Sequence, residues 1–120
     1  MYKTVRRDRL RTTLEETTQL ALEEQPPSII AQHVRERLLP ILHETVLVHG
    51  AEGAVDEIVN ELGDETIIHA PHILAAAYML GGRELLHRMA QRLIEHFPEH
   101  AEYITHIANT ITHLDRELRE

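Results

Sequence analysis

Histidine is the residue type in this chain that offers the most chemistry. Ten of the 120 residues are histidines. Imidazole is the commonest metal ligand in proteins, and it also titrates near neutral pH. Two ligands on one helix reach the same ion only when they lie three or four residues apart. The histidine spacings therefore decide whether a metal site or a pH-dependent role is the better hypothesis.

Most of these spacings argue against a metal site. His69 and His72 are three residues apart, but Pro71 predicts a helix start there, where the geometry is not fixed. His96 and His100 are four residues apart, with a proline between them that interrupts the helix. The chain has no HExxH motif and no cysteine. We therefore expect each histidine to be solvated or hydrogen-bonded, and we keep a pH-responsive module as a third hypothesis for the ten together.

Catalytic motifs of other kinds are also missing from the sequence. There is no glycine-rich phosphate loop and no nucleophile elbow. Ser28, the only serine, follows two prolines and fits the N-cap of a helix. Glu84 and His87 have the E-x-x-H spacing of carboxylate metal sites, but in a single copy. The sequence thus favours a protein that is neither an enzyme nor dependent on a cofactor, with binding of a divalent metal, iron or zinc, as the alternative.

The charge of the chain bears on its partners and location. The formal net charge is -8, from 20 acidic and 12 basic residues. A nucleic-acid surface must neutralise phosphates, so a nucleic-acid partner is not expected. Arg6, Arg7, Arg9 and Arg11 are expected to form a solvated helix face. No apolar run approaches the roughly 20 residues of a membrane helix, so we expect a cytoplasmic protein with no membrane contact.

Helical periodicity runs through the whole chain, and strand signals are nearly absent. A long first helix with a narrow apolar stripe (Val5, Leu10, Leu14 and Ala21) is expected at residues 4–24. A second begins at the Ser28 cap, and Pro40 either kinks it or starts a new helix that stops at Gly50. Further helices are expected at residues 53–62, 71–80, 83–97 and 99–118, with a connector at 64–70. The predicted fold class is all-α.

An internal repeat of 31 residues relates the second half of the chain to itself. Residues 50–80 and 81–111 share six identities and many apolar positions; the identities are Gly50/Gly81, Leu62/Leu93, His69/His100, Ala70/Ala101, Ile73/Ile104 and Ala77/Ala108. A fixed period of this size is typical of stacked helical hairpins, because one hairpin cannot bury its apolar face alone.

The segment AVDEIVNELGDE at residues 54–65 and the segment HILAAAYMLGGRELLHRMAQRLIEHF at 72–97 resemble short HEAT-type repeats of about 30 residues. The resemblance implies a stack that offers binding surfaces. The inner helix of such repeats usually carries an arginine beside its first apolar residue, whereas this chain has Pro71 and His72 there. The aspartate–arginine ladder that is usual between such repeats is therefore expected to be missing.

One dipeptide, His43-Glu44, resembles the metal-ligand pairs of HEAT-repeat di-iron hydroxylases of the deoxyhypusine hydroxylase type. In that family several such pairs, each seven residues before a helix-ending glycine, supply the ligands. His43 and Glu44 have this distance from Gly50, but the next repeats lack a matching pair. The resemblance implies His43 and Glu44 as metal ligands, in a site for one or two metal ions that a second subunit would have to complete.

These observations together predict a single domain, a right-handed α-solenoid of about three stacked hairpins, with a closed helical bundle as the alternative. An N-terminal capping helix spans residues 1–27, hairpins span 28–62 and 63–97, and a C-terminal capping helix spans 98–120. The predicted function is a non-enzymatic protein-interaction or assembly module, and a His/carboxylate metal protein is the alternative. We expect a protein partner or self-association through a charged row formed by Asp56, Glu57, Asn60, Glu61, His87, Arg88, Gln91 and Arg92.

Overall fold

The computed structural model describes the backbone of residues 2–119 and the side chains of residues 9–114. Within this part of the chain all regular structure is helical, which confirms the predicted all-α class. The α-helices are α1 (Tyr2–Leu22), α2 (Pro27–His33), α3 (Leu39–Leu62), α4 (Thr66–His96) and α5 (Ala101–Arg119). A π-helical turn, Val34–Leu38, joins α2 to α3, and 3-10 turns at Gly63–Glu65 and Pro98–His100 precede α4 and α5.

Two glycines break the long helices α3 and α4 into halves. Gly50 has φ 77° and ψ 177°, and Gly82 has φ 67° and ψ -156°. This region of backbone space is open to glycine and costly for other residues. The predicted stops at Gly50 and at Gly81-Gly82 are thus confirmed. We call the halves α3a (residues 39–49), α3b (51–62), α4a (66–80) and α4b (83–96).

Pro40 is the second residue of α3 and comes just after the π-helical turn, so the helix continues through it. In a regular α-helix the ring of Pro40 would collide with the carbonyl of Glu36. The π-helical turn widens the backbone there, and the Leu39 amide donates to the Val34 carbonyl, five residues back. The predicted cap at Ser28 is wrong, because α2 begins at Pro27, whose fixed φ suits the first helical position.

The connector predicted at residues 64–70 is also wrong. A 3-10 turn at Gly63–Glu65 leads directly into α4, which begins at Thr66. The buried Thr66 hydroxyl donates a 2.7 Å hydrogen bond to the Gly63 carbonyl and so holds the turn against the helix. Pro71 therefore lies inside α4a and not at its first position.

The 31-residue repeat corresponds to repeated positions in the core. Leu42, Ile73 and Ile104 follow one another at this period and are 2%, 2% and 0% exposed. The pairs Val55/Leu86, Ile58/Met89 and Leu62/Leu93 are likewise buried in α3b and α4b. Equivalent side chains of successive repeats thus fill one continuous core. The HEAT-type resemblance and the solenoid arrangement stay predictions.

The buried side of α1 differs from the predicted stripe. Leu14 is fully buried as expected, whereas Ala21 is exposed. Thr13 and Thr17 take buried positions beside Leu14, and the Thr17 hydroxyl donates to the Thr13 carbonyl at 2.7 Å. Val5 lies outside the described side chains. The first helix thus packs through Leu14 flanked by two threonines, and the Thr17 hydroxyl is hydrogen-bonded along the helix itself.

Candidate functional site

A ladder of ion pairs joins α3b to α4b. Arg88 donates two hydrogen bonds to Glu52, 3.0 Å from Nε and 2.8 Å from Nη2. Arg92 likewise donates two hydrogen bonds to Asp56, 2.8 Å from Nε and 2.9 Å from Nη2. His96 Nε2 lies 2.6 Å from Asp56 Oδ1. The two rungs are four residues apart on both helices, which is about one helical turn. The ladder usual in HEAT-type repeats was expected to be missing, and α4a carries no arginine to form it. The ladder observed here takes its arginines from α4b instead.

The ladder holds its groups in their charged forms. The hydrogen bonds from Arg92, and next the one from His96, lower the pKa of Asp56 from 3.8 to about 2. The hydrogen bonds from Arg88 lower the pKa of Glu52 in the same sense. These carboxylates in turn raise the pKa of both arginines. Paired, two-point contacts of this kind fix the register of the two helices.

The predicted charged row is therefore engaged within the chain at several positions. Asp56, Arg88 and Arg92 belong to the ladder. The Glu61 carbonyl accepts a 2.9 Å hydrogen bond from Arg11, which also pairs with a carboxylate in the turn before α4 at 2.7 Å. Of the other members of the row, Asn60, His87 and Gln91 are exposed, and Glu57 is half-buried with Oε1 4.0 Å from His49 Nε2.

The basic segment near the N-terminus is only partly the solvated face that was expected. Arg11 bonds to the Glu61 carbonyl and to the carboxylate of Glu65. Arg9 is exposed. Arg6 and Arg7 lie outside the described side chains. One arginine of the segment thus anchors α1 to the end of α3b.

The predicted metal ligands His43 and Glu44 lie exposed on α3a. Among the described side chains, no group of three or more histidine, aspartate or glutamate residues is arranged to hold a metal ion. The metal hypothesis thus gains no support from the geometry around His43, and it stays a prediction.

The feature that sequence reasoning missed is the uncharged outer side of α4a. Residues 66–80 contain no aspartate, glutamate, lysine or arginine. Ile73 and Leu74 face the core, yet Ile68 and Met79 are 61% and 36% exposed. These two lie about three turns apart and so on the same side of the helix. The lack of charge across the whole segment was the available signal.

Other large apolar side chains are exposed on the helices that precede and follow α4a in the repeat. Leu47 and Val48 at the end of α3a are 73% and 65% exposed, and Tyr103 on α5 is also exposed. Val48 and Met79 are equivalent positions of the 31-residue repeat. By contrast, α3b and α4b, whose side chains are all described, expose no large apolar residue. We use the name apolar face for five of the exposed large apolar residues, Leu47, Val48, Ile68, Met79 and Tyr103; Leu22 on α1, Ile29 on α2 and Leu114 on α5 are also exposed and are not included.

A cleft of about 370 Å³ lies between α1 and the region around the π-helical turn. It is lined by Arg9, Thr12, Thr13, Glu16, Glu36, Arg37 and Pro40. Small-molecule sites are mostly apolar, with a few convergent polar groups. This lining is mainly polar and carries two charges of each sign, so it does not define a class of ligand.

Comparisons of the chain with models of protein families, with characterised proteins and with solved structures found no match. Among the described residues, no helix combines the length and the apolar character that crossing a membrane requires. The geometry of the molecule is therefore the basis for a functional proposal.

Proposed function

We propose that this protein is a non-enzymatic interaction or assembly module and that the apolar face receives another protein chain. The observation that carries the proposal is α4a, a helix half without a charged residue whose outer side is open to solvent. Ile68 and Met79 are exposed on this helix half, whereas the apolar side of a helix is normally packed against another element. A second chain on the apolar face would complete that burial.

The energetics favour this surface over the charged row. Fully burying one large aliphatic side chain is worth about 1.5–3 kcal/mol, and several such side chains are exposed on the apolar face. A partner that bound Asp56 or Arg92 would instead compete with a two-point ion pair that the chain already makes. The ladder is better explained as the contact that holds α3b and α4b together.

Site-specific photo-crosslinking tests the proposal directly. A benzophenone amino acid is placed at Ile68 or at Met79, and at Asn60 or Gln91 as matched exposed controls on α3b and α4b. The variants are expressed in the cells that make the protein, and sedimentation analysis of the purified protein detects self-association. We expect crosslinks to a protein chain, another copy or a different protein, from positions 68 and 79 only. Crosslinks from positions 60 and 91 alone, or from none of the four, would contradict the proposal.

A further inference from the structure

The outer side of α4a carries a stripe of four residues. Ile68, His72, Ala75 and Met79 follow one another at spacings of three or four residues, so they lie on the same side of the helix. Ile68 and Met79 are exposed, and the two residues between them are half-buried. The distance between two packed helices depends on the side chains at the contact. The short side chain of Ala75 in the middle of the stripe therefore allows another helix to approach closely.

The helices beside α4a share its low charge. In the described part of the chain α4 contacts both α3 and α5, whereas α3 and α5 do not contact each other, so α4 lies between them. Residues 39–49, 66–80 and 103–114 of these helices contain a single charged residue, Glu44, although 27% of the chain is charged. Burial, as the largest cause, lowers the pKa of His72 below 6.5, which keeps the stripe uncharged at neutral pH. The whole apolar face thus lies in segments that carry almost no charge.

This lack of charge restricts what can bind to the apolar face. A partner with a charged side chain at the contact would have to bury that charge without a counter-charge, which is strongly unfavourable. The contacting surface of the partner must therefore be uncharged as well. A second copy of this chain presents such a surface. A two-fold axis brings the same patch of both copies together, so every favourable contact is made twice.

The size of the apolar face fits a reversible dimer. Its five side chains are between 36% and 73% exposed. Side chains with these exposures make a patch of roughly 300–600 Å², the size at which a patch on a single chain is often functional. Two such patches in contact remove on the order of 1,000 Å² from water, which is near the lower limit for a specific interface and below the roughly 2,000 Å² of obligate dimers. The folded monomer is therefore expected to exist as well.

We propose that the partner of the apolar face is a second copy of this chain, with the stripe on α4a of one copy packed against the stripe of the other. This inference rests on the proposed function and names the partner that the proposed function leaves open. Dimers form as the concentration rises. The ion-pair ladder between α3b and α4b lies outside the contact and stays intact in each copy.

Sedimentation equilibrium of the full chain from about 1 μM to about 1 mM tests the proposal. We expect a monomer–dimer equilibrium. Ile68→Glu and Met79→Glu each replace an apolar contact by a charge, twice in a symmetric dimer, and should weaken dimerisation at least about tenfold. Asn60→Glu and Gln91→Glu add the same charge at exposed positions of α3b and α4b and should change the dissociation constant by no more than about twofold. Circular dichroism checks that each variant is folded.

Disulfide trapping tests the position of the contact, because the chain has no cysteine of its own. Ala75→Cys places one thiol in the middle of the stripe, where the two copies are expected to meet close to the two-fold axis. Asn60→Cys places a matched thiol on the exposed side of α3b. Mild oxidation should give several-fold more disulfide-linked dimer from Ala75→Cys than from Asn60→Cys.

Three results would overturn the second copy as the partner. They are a chain that stays monomeric over the whole concentration range, a dimer that Ile68→Glu and Met79→Glu weaken no more than the control variants do, and equal disulfide formation from positions 75 and 60. If Ala75→Cys does not fold, the sedimentation series still decides. Photo-crosslinks from positions 68 and 79 to a different protein would then leave the proposed function standing with another partner, whereas no crosslink from either position would remove both.

Discussion

Asp56 is the residue on which the contact between α3b and α4b depends most. Its carboxylate accepts both hydrogen bonds from Arg92 and lies beside His96. The group is about a third exposed, so water screens part of the attraction. Because the pKa of Asp56 is lowered in the folded protein, the stability that this carboxylate contributes depends on pH.

Replacing Asp56 by asparagine should lower the free energy of unfolding by about 1 kcal/mol at pH 7, as for a well-oriented but partly exposed pair. The pKa falls from 3.8 to about 2 on folding. The stabilisation is therefore full above the ordinary carboxylate pKa and is lost as the pH falls through about 2. Urea unfolding of wild type and variant at pH 7, 4 and 2 checks this. Glu16→Gln, at an exposed carboxylate on α1, is the control. A variant effect of equal size at pH 2 and pH 7 would contradict the argument.

The pairings of these residues could not be predicted from the sequence. Asp56 and Arg92 were recognised as exposed and oppositely charged, but 36 residues separate them. Which carboxylate pairs with which arginine depends on the position of α3b relative to α4b. The local hydrophobic periodicity of each helix does not determine that position. The lack of charge in residues 66–80, by contrast, is visible in the sequence without any structure.

At the scale of helices, Gly50 shows what local sequence can predict. A positive φ is a requirement of one residue, so glycine at that position marks a break whatever surrounds it. The starts of helices were harder to predict, because neighbouring residues compete for them. Pro27 rather than Ser28 begins α2, and Thr66 rather than Pro71 begins α4. In both cases a local feature decided between two plausible first residues. These features are the fixed φ of Pro27 and the hydrogen bond from the Thr66 hydroxyl to the Gly63 carbonyl.

Gly50→Ala isolates the conformational requirement at the break in α3. An added methyl group at Gly50 would meet no atom within 4 Å, so no clash contributes. The backbone strain alone should lower the free energy of unfolding by about 1–3 kcal/mol. Thermal and urea unfolding measure the change, and Asn60→Ala on the exposed side of α3b should stay within about 0.5 kcal/mol of wild type. Wild-type stability in Gly50→Ala would show that the break tolerates another residue.

At the scale of the whole molecule, the outer surfaces of the helices divide by polarity. The helices after the two glycine breaks, α3b and α4b, carry the ion-pair ladder and expose no large apolar side chain among their residues, all of which are described. The helices α3a, α4a and α5 carry the apolar face. This difference between the helix halves is the reason why the proposed function places the partner on the apolar face and not on the ion-pair ladder.

The repeated core positions offer a test of whether the helices form a stack or a closed bundle. In a stack each repeat contacts only its neighbours, so a defect at one end stays near that end. Ile104→Ala, which should cost about 2–5 kcal/mol, is then expected to raise hydrogen exchange in α5 and α4b and to leave α2 and α3a protected. Leu42→Ala should do the reverse, and Ile73→Ala, in the middle of the series, should loosen both ends. Asn109→Ala, at an exposed position of α5, serves as the control. If Leu42→Ala and Ile104→Ala instead lower protection equally in every helix, the closed bundle is the correct arrangement, because all its helices share one cooperative core.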